Sequence, residues 1–338
     1  MHQGSFVFSQ LMRSFPRYEF DKCVIKYSGN KGVRSFTCWN QFLALAFGQL
    51  SYRESLSDIV LCLNSLKTSL YHLGFKTRLS KSTFSDANNS RDWRIYADFS
   101  QYLMKMVHQK ISFSDTLKKE YDYLIFALDS SLIRLCLSVF FWAKYRQTKS
   151  AVKMHTLFDV QSSIPYYFRI TDGLVGDMSI LKQLAFIPGA FYVMDRGYND
   201  FIQLYRIHTS RAFFVIRARS PLRFKRIYSK PKKENIIFDQ VGEFTVYSSK
   251  KAYSEKIRCI KSFDPETRSK IVLLTNNFDV EATDIAEFYK KRWQVELFFK
   301  WIKQHLKIRT FWGFSENAVK TQIYSALSVY LIVALLKY

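Results

Sequence analysis

The chain has 338 residues, enough for two domains or for one large domain carrying an insertion. Hydrophobic residues make up 48%, which excludes wholesale disorder. Fifty-one Lys+Arg against 28 Asp+Glu give a net charge of +23, a field that attracts polyanions, nucleic acid ahead of an anionic membrane.

The N-terminus, MHQGSFVFSQLMRSFPRYEF, lacks the long apolar core of a signal peptide. Residues 36–75 read as helical: Leu56, Ile59, Val60, Leu63, Leu66 and Leu70 recur at helical spacing and Gly74 ends the run. Ser80 then opens a short helix carrying Ser82, Thr83, Ser85, Asn88 and Asn89, flanked by Lys76, Arg78, Lys81, Arg91 and Arg94. Small polar residues on a short helix after a turn suit a helix-turn-helix, and suit a solvated helix and loop equally well. A further helix covers 95–110.

From residue 121 the pattern changes. YLIFALD (123–129) is an apolar run ending in an acid, and AVKMHTLFDV and IPYYFRIT read as two strands joined by a turn. GDMSILKQLAF (176–186) reads as helix, AFYVMD (190–195) as a second apolar run ending in an acid, NDFIQLYRIH as helix and AFFVIRAR as strand. Residues from about 217 to 270 break this rhythm. A basic run with Arg217, Arg219, Arg223, Lys225, Arg226, Lys230, Lys232 and Lys233 leads into short strands, EFTVYSS, KIRCIKSF and KIVLLTNN. This reads as a β-rich insertion with a basic edge suited to phosphate contact. The apolar stretch IYSALSVYLIVALL is shorter than the roughly 20 residues needed to span a bilayer. A buried core helix is expected there, with no membrane role. The run stops at Tyr338, so a longer natural protein is expected. Five scattered cysteines, none in a C-x-x-C pair, suit reduced thiols in a cytoplasm and argue against zinc.

Asp129 and Asp195 each follow an uninterrupted apolar run, the mark of buried central strands. In open α/β sheets ligands sit at the carboxyl ends of strands, so on neighbouring strands the two carboxylates would converge. Two close carboxylates need a positive charge between them, and Mg²⁺ prefers oxygen ligands. Taken singly, each Asp reads better as the cap of a turn. Residues 288–307, FYKKRWQVELFFKWIKQHLK, hold one acid, Glu296, and no other lies between Glu287 and Glu316. On a helix, Tyr289, Arg292, Glu296 and Lys303 fall within about 60° of one another, beside a core stripe of Val295, Phe299, Ile302 and Leu306. By spacing alone, Arg292–Glu296 is an ordinary i,i+4 pair.

The spacing Tyr289-x₂-Arg292-x₃-Glu296-x₆-Lys303 resembles the Y-(2)-R-(3)-E-(6)-K signature of a large group of bacterial insertion-sequence transposases of the DDE type. YVMDRGYND and FALDSS are similar to that group's second-acid and first-acid regions. KMHTLFD, ITDGLVGDMSIL and GFSENAVKTQIYSALSVY are similar to its catalytic domain, and FVFSQL and LSKSTFSDAN to its helical, DNA-binding N-terminal part. Gly176 departs from the pattern, since relatives often carry a His there.

The resemblance implies an α/β fold with a ribonuclease H-like core (residues 119–338), a β-rich insertion at about 217–270, and a helical DNA-binding domain at 1–118. It implies Asp129, Asp195 and Glu296 as the catalytic triad holding two Mg²⁺, with Asp129 bridging; Mn²⁺ would substitute, and Ca²⁺ would permit binding without chemistry. Tyr289, Arg292 and Lys303 would contact the transposon end, with Trp293, Lys300, Arg217, Arg219, Lys225 and Arg226 as further DNA contacts. The expected protein cuts and joins double-stranded DNA at terminal inverted repeats, works in a bacterial cytoplasm on chromosomal DNA, and acts as a homodimer on paired ends. A non-catalytic repressor on the same fold and a ribonuclease H-like nuclease are the alternatives.

Overall fold

Ten strands form one mixed sheet. They are β1 (Ile125–Leu135), β2 (Lys144–Arg146), β3 (Lys149–Asp159), β4 (Ile164–Asp172), β5 (Phe191–Met194), β6 (Phe213–Arg217), β7 (Phe224–Ser229), β8 (Ile236–Phe244), β9 (Ile257–Asp264) and β10 (Ser269–Thr275). The order is β2-β3-β1-β5-β6-β10-β9-β8-β7, with β4 also on β3. The computed structural model describes residues 7–112, 121–146, 149–231, 233–306, 308 and 310–337. The expected domain boundary at 118/119, together with Lys232, Lys307 and Tyr338, lies outside the described residues.

Within the sheet, β3 runs antiparallel to β1 and β4, while β1, β5 and β6 are mutually parallel. The order β4-β3-β1-β5-β6 is a ribonuclease H-like core. Both faces are covered, so the strands are apolar on both sides. Along β1, Ile125, Ala127 and Ile133 enter one core, and Phe126 and Leu128 enter the other. Strand β1 does not stop at Asp129. It continues to Leu135 because β3 pairs with it throughout, down to Leu135↔Ser150. Asp129 ends only the parallel pairing with β5.

The stretch expected as a β-rich insertion is continuous with the main sheet. Strand β10 pairs with β6, so β7–β10 prolong the main sheet. The middle of the basic run, with Lys225 and Arg226, forms the outer strand β7. Its neighbour β8 carries Gly242, where a Cβ would strike the Lys225 backbone carbonyl, so a side chain there would push the edge strand away. The stretch after Phe244 turns into a short helix, α9 (Tyr247–Ala252), where a strand was expected.

Helices α7 (Asp177–Leu181) and α8 (Phe201–Thr209) lie between strands of the core, with α7 shorter than GDMSILKQLAF suggested. Ahead of the sheet come α1 (Val7–Arg13), α2 (Arg17–Lys26), α3 (Cys38–Leu50), α4 (Leu56–Ser65), α5 (Lys81–Ser90) and α6 (Arg94–Ser112). Local chemistry sets their ends. Thr37 and Asn40 form a reciprocal capping box at the start of α3. Gly74, at φ +91°, closes the turn after α4, where a left-handed residue is needed. The Ser80 hydroxyl pairs with Ser82 at 2.7 Å and makes no cap bond to α5. In α5, Asn88 is buried against Gln41 and is not turned outward to read bases, whereas Asn89 is exposed and accepts a bond from Ser315 Oγ.

Past the sheet lie α10 (Ala282–Lys291), α11 (Trp293–His305) and α12 (Glu316–Leu335). The run 288–307 is thus two helices meeting at Arg292, where one was expected. Helix α12 is long and apolar enough to cross a membrane by composition, but 72% of its apolar window is buried, packed on α6, α3 and β4. One continuous core therefore joins the N-terminal helices to the sheet.

Candidate active site

The site begins with register. Leu128 pairs with Met194 at the end of the parallel β1–β5 ladder, so Asp129 and Asp195 leave that ladder side by side. Their strands are fully buried up to this point, which fixes the two backbones at the sheet's carboxyl edge. Asp195 then enters a single 3₁₀ turn, Arg196–Tyr198, whose tyrosine is buried in the second core.

The junction of α10 and α11 crosses this edge. Tyr289 Oη donates to Asp195 Oδ1 at 3.2 Å. Arg292 Nη1 reaches Asp129 Oδ2 at 3.3 Å, and its Nη2 reaches Glu296 Oε1 at 2.7 Å. Further along α11, Lys303 Nζ donates to Ser131 Oγ at 2.6 Å and to the Leu132 carbonyl at 2.9 Å. Ser131 lies on the same face of β1 as Asp129, two residues on. The helix pair therefore engages β5, then Asp129, then the continuation of β1. The stripe Val295, Phe299, Ile302 is buried and holds that register.

The electrostatics follow from this crowding. Burial pushes the Asp129 carboxyl up to about 6; its bond from Ser130 N–H and the nearby Arg292 oppose this, and Glu296 and Asp177 add to it. Burial lowers Arg292, yet its bond to Glu296 and the neighbouring Tyr289 and Asp129 leave it above its ordinary value. Tyr289 is raised by burial and by Asp195. Tyr198 is raised far above the ordinary range, first by burial, then by Asp177 and Asp129.

Among the described residues no three His, Cys, Asp or Glu side chains stand together as a ready metal cage. The three sequence-identified acids are brought to one rim, but Arg292 lies between Asp129 and Glu296, and Tyr289 holds Asp195. Carboxylates without a cation repel, and here the arginine supplies the positive charge. By chemistry the donors suit a hard divalent ion, since all three are oxygens and two already share one cation.

The DNA candidates are placed as follows. Tyr289, Arg292 and Lys303 turn inward to the acids and β1. Trp293 is 57% exposed at the start of α11, and Lys300 is exposed. Arg217 ends β6, close enough to Tyr289 to act on it. Arg219 Nε donates to the Arg196 carbonyl at 3.0 Å, tying the insertion to the Asp195 turn. Lys225 and Arg226 are exposed on the outer strand β7.

The sequence offers His155 as a weak DNA-contact candidate; the structure sets it in a polar group on the far side of β1 whose other members the sequence did not single out. Lys153 Nζ donates to the Val175 carbonyl at 2.9 Å and lies 3.4 Å from Asp177 Oδ1. His155, on the same strand, sits 3.5 Å from Asp177 and bonds Thr171 at 2.9 Å. Burial holds this imidazole down at about 4, so it is neutral near pH 7. Lys153 and His155 alternate within the buried stretch AVKMHTLF of β3, which was the available signal. Gly176 precedes Asp177 with open space around it, so no side chain is excluded there.

A ribonuclease H-like sheet with acids from two adjacent parallel strands and a crossing helix defines the DDE class of proteins. The chain belongs to the DDE transposase family: residues 120–332 match the family described as "Transposase DDE domain", and residues 3–76 match a domain of unknown function. It is 37% identical over 196 residues to a transposase-like protein of Sinorhizobium fredii, y4zB, covering 56% of this chain and 54% of that one. It is 30% identical over 192 residues to the transposase-like protein of insertion sequence element IS5377 from Geobacillus stearothermophilus, covering 56% and 51%. With that of element IS4SA from a Synechocystis strain it shares 25% identity over 260 residues, covering 75% and 71%. The matches thus span about half the length of the first two relatives. Among solved structures, a piggyBac transposase synaptic complex with hairpin DNA aligns at a TM-score of 0.48 and 10% identity, covering 96% of this chain and 72% of that one. That likeness is too slight to bear on function.

Proposed function

We infer that this chain is a metal-dependent DNA transposase that cuts and joins strands at the terminal inverted repeats of an insertion sequence. The observation that carries this reading is the run of contacts Tyr289–Asp195, Arg292–Asp129, Arg292–Glu296 and Lys303–Ser131, which gathers three carboxylates from distant parts of the chain at one sheet edge. Asp129, Asp195 and Glu296 would hold two Mg²⁺. Bound there, the ions would supply Lewis acidity and a nucleophile made competent at neutral pH.

The protein's own groups have separable tasks. Tyr289 orients Asp195 through its hydroxyl. Lys303 pins α11 to β1 so that Glu296 stays at the rim. The exposed face of Trp293 and the bases Lys225 and Arg226 would meet double-stranded DNA, the first near the acids and the others along the sheet's outer strand. Residues 1–118 would add further DNA contact, and two copies would act together on paired ends.

The deciding experiment incubates purified protein and Mg²⁺ with DNA bearing the inverted repeats that flank its coding region. Nicking followed by joining is expected, and Asp129→Asn, Asp195→Asn and Glu296→Gln should each abolish both while sparing DNA binding. Three variants that cut as well as the parent would remove the metal-site assignment.

A further inference from the structure

Arg292 closes α10 and opens α11, so its position is fixed from both sides. Its side chain is 13% exposed and spans two carboxylates, one on β1 and one on α11. Those are the oxygens that a divalent cation between Asp129 and Glu296 would need. Of its three nitrogens, Nε is buried and its N–H meets no protein acceptor. The guanidinium is thus held by two charges, with one of its three nitrogens making no bond to the protein. Lys303 is differently placed, with Nζ committed to Ser131 and the Leu132 carbonyl.

Resting on the metal-site reading above, we propose that Arg292 is a resident counter-ion that a divalent cation displaces from Asp129 and Glu296, and that a DNA phosphate then takes up. The planar fork that spans two carboxylates suits a phosphate equally well. Before loading, the arginine keeps the acids from repelling each other and holds Glu296 at the rim. Once a cation has taken over the carboxylates, Arg292 is available to the DNA backbone beside them. Metal and DNA binding are therefore coupled, each strengthening the other by the same factor. The role of Arg292 is positional: it sets the order in which the site fills.

The first arm of the test titrates the whole protein with Mn²⁺ alone, reading free ion by electron paramagnetic resonance. Arg292→Gln should bind Mn²⁺ at least about fivefold more tightly than the parent. Arg292→Lys should fall between, because an ammonium keeps the charge but cannot span both carboxylates. If the Gln variant does not fold, the Lys variant carries the comparison. Unchanged or weaker Mn²⁺ binding in the folded variants overturns the proposal, because it makes the arginine a mere support for Glu296. In the same titration Asp129→Asn must weaken binding. If it does not, the metal-site reading itself has failed, a separate result.

The second arm measures binding of a mixed-sequence DNA duplex with and without Ca²⁺. In the parent, Ca²⁺ should strengthen duplex binding about fivefold or more, and in Arg292→Gln that factor should fall to about one. A factor that survives in the variant, or is missing in the parent, overturns the coupling.

Discussion

The Tyr289 hydroxyl donates to Asp195 across 3.2 Å, so the helix pair that carries Glu296 is tied directly to the end of β5. The link joins the second acid of the site to the element that supplies the third. Removing it should loosen Asp195 without changing the number of carboxylates. Tyr289→Phe should therefore slow single-turnover strand cleavage by about tenfold, the equivalent of one hydrogen bond to a charged acceptor. Metal-free stability should fall by about 1 kcal/mol. Cleavage by the phenylalanine variant at the parent rate would show that Asp195 is oriented without it.

Asp129 carries a pH signature. Its carboxyl is pushed up to about 6 from an ordinary 3.8, chiefly by burial. A raised acid binds its proton more tightly in the folded chain than in the unfolded one. Stability from this group is thus fully present below the ordinary value and is lost as pH climbs from about 4 to about 6. Above that the ionised group costs the metal-free fold about 2–3 kcal/mol. Asp129→Asn mimics the protonated form. In urea melts with chelator it should be more stable than the parent at pH 8, by an amount that shrinks towards zero at pH 4. A constant difference across that range would mean that Asp129 titrates normally.

Asp129 and Asp195 stood out because each closes an apolar run, and burial on both sheet faces writes such runs, although β1 itself runs on past Asp129. The signature helix was legible because helical spacing puts Tyr289, Arg292, Glu296 and Lys303 on one face. What spacing could not tell was the destination of the cations. A face that can meet phosphate can also meet carboxylate, and Arg292 and Lys303 point into the protein. The length of β1 was hidden because its partner β3 lies about twenty residues downstream, beyond any local pattern. For the same reason the β-rich stretch read only as an insertion, and the pairing of β10 with β6 that makes it continuous with the sheet was not visible. Asn88 read as an exposed polar residue, and only packing of α5 on α3 showed it to be an internal hydrogen-bond partner.

A buried ion pair lies within the prolonged sheet. Arg258 is 2% exposed; its Nε and Nη2 contact Asp239 Oδ1 and Oδ2 at 2.8 and 2.7 Å. Its Nη1 donates to the Val280 carbonyl, just before α10 begins. The pair thus braces β8 and β9 against the entry to the helix that bears Tyr289. Asp239→Ala leaves a buried guanidinium without its counter-charge and should cost about 3–5 kcal/mol in chemical melts. The double change Asp239→Leu with Arg258→Met removes both charges and should cost clearly less. A double variant no better than the single would assign the loss to packing.

Lys225 and Arg226 stand exposed on β7, the outermost strand, far along the sheet from the acids. Exposed bases on a free edge also keep strands of other molecules from pairing there, so their presence alone does not prove a DNA role. Salt dependence separates the two. Removing a side chain that neutralises one phosphate flattens the slope of log affinity against log salt by about 0.9 on duplex DNA. If both residues touch the backbone, Lys225→Gln with Arg226→Gln should lower the slope by about two while leaving Mn²⁺ binding unchanged, because the metal site lies elsewhere. If they serve only to protect the edge, the slope stays as it was and the double variant instead aggregates at concentrations the parent tolerates. Light scattering beside the binding titration reads both outcomes on one sample.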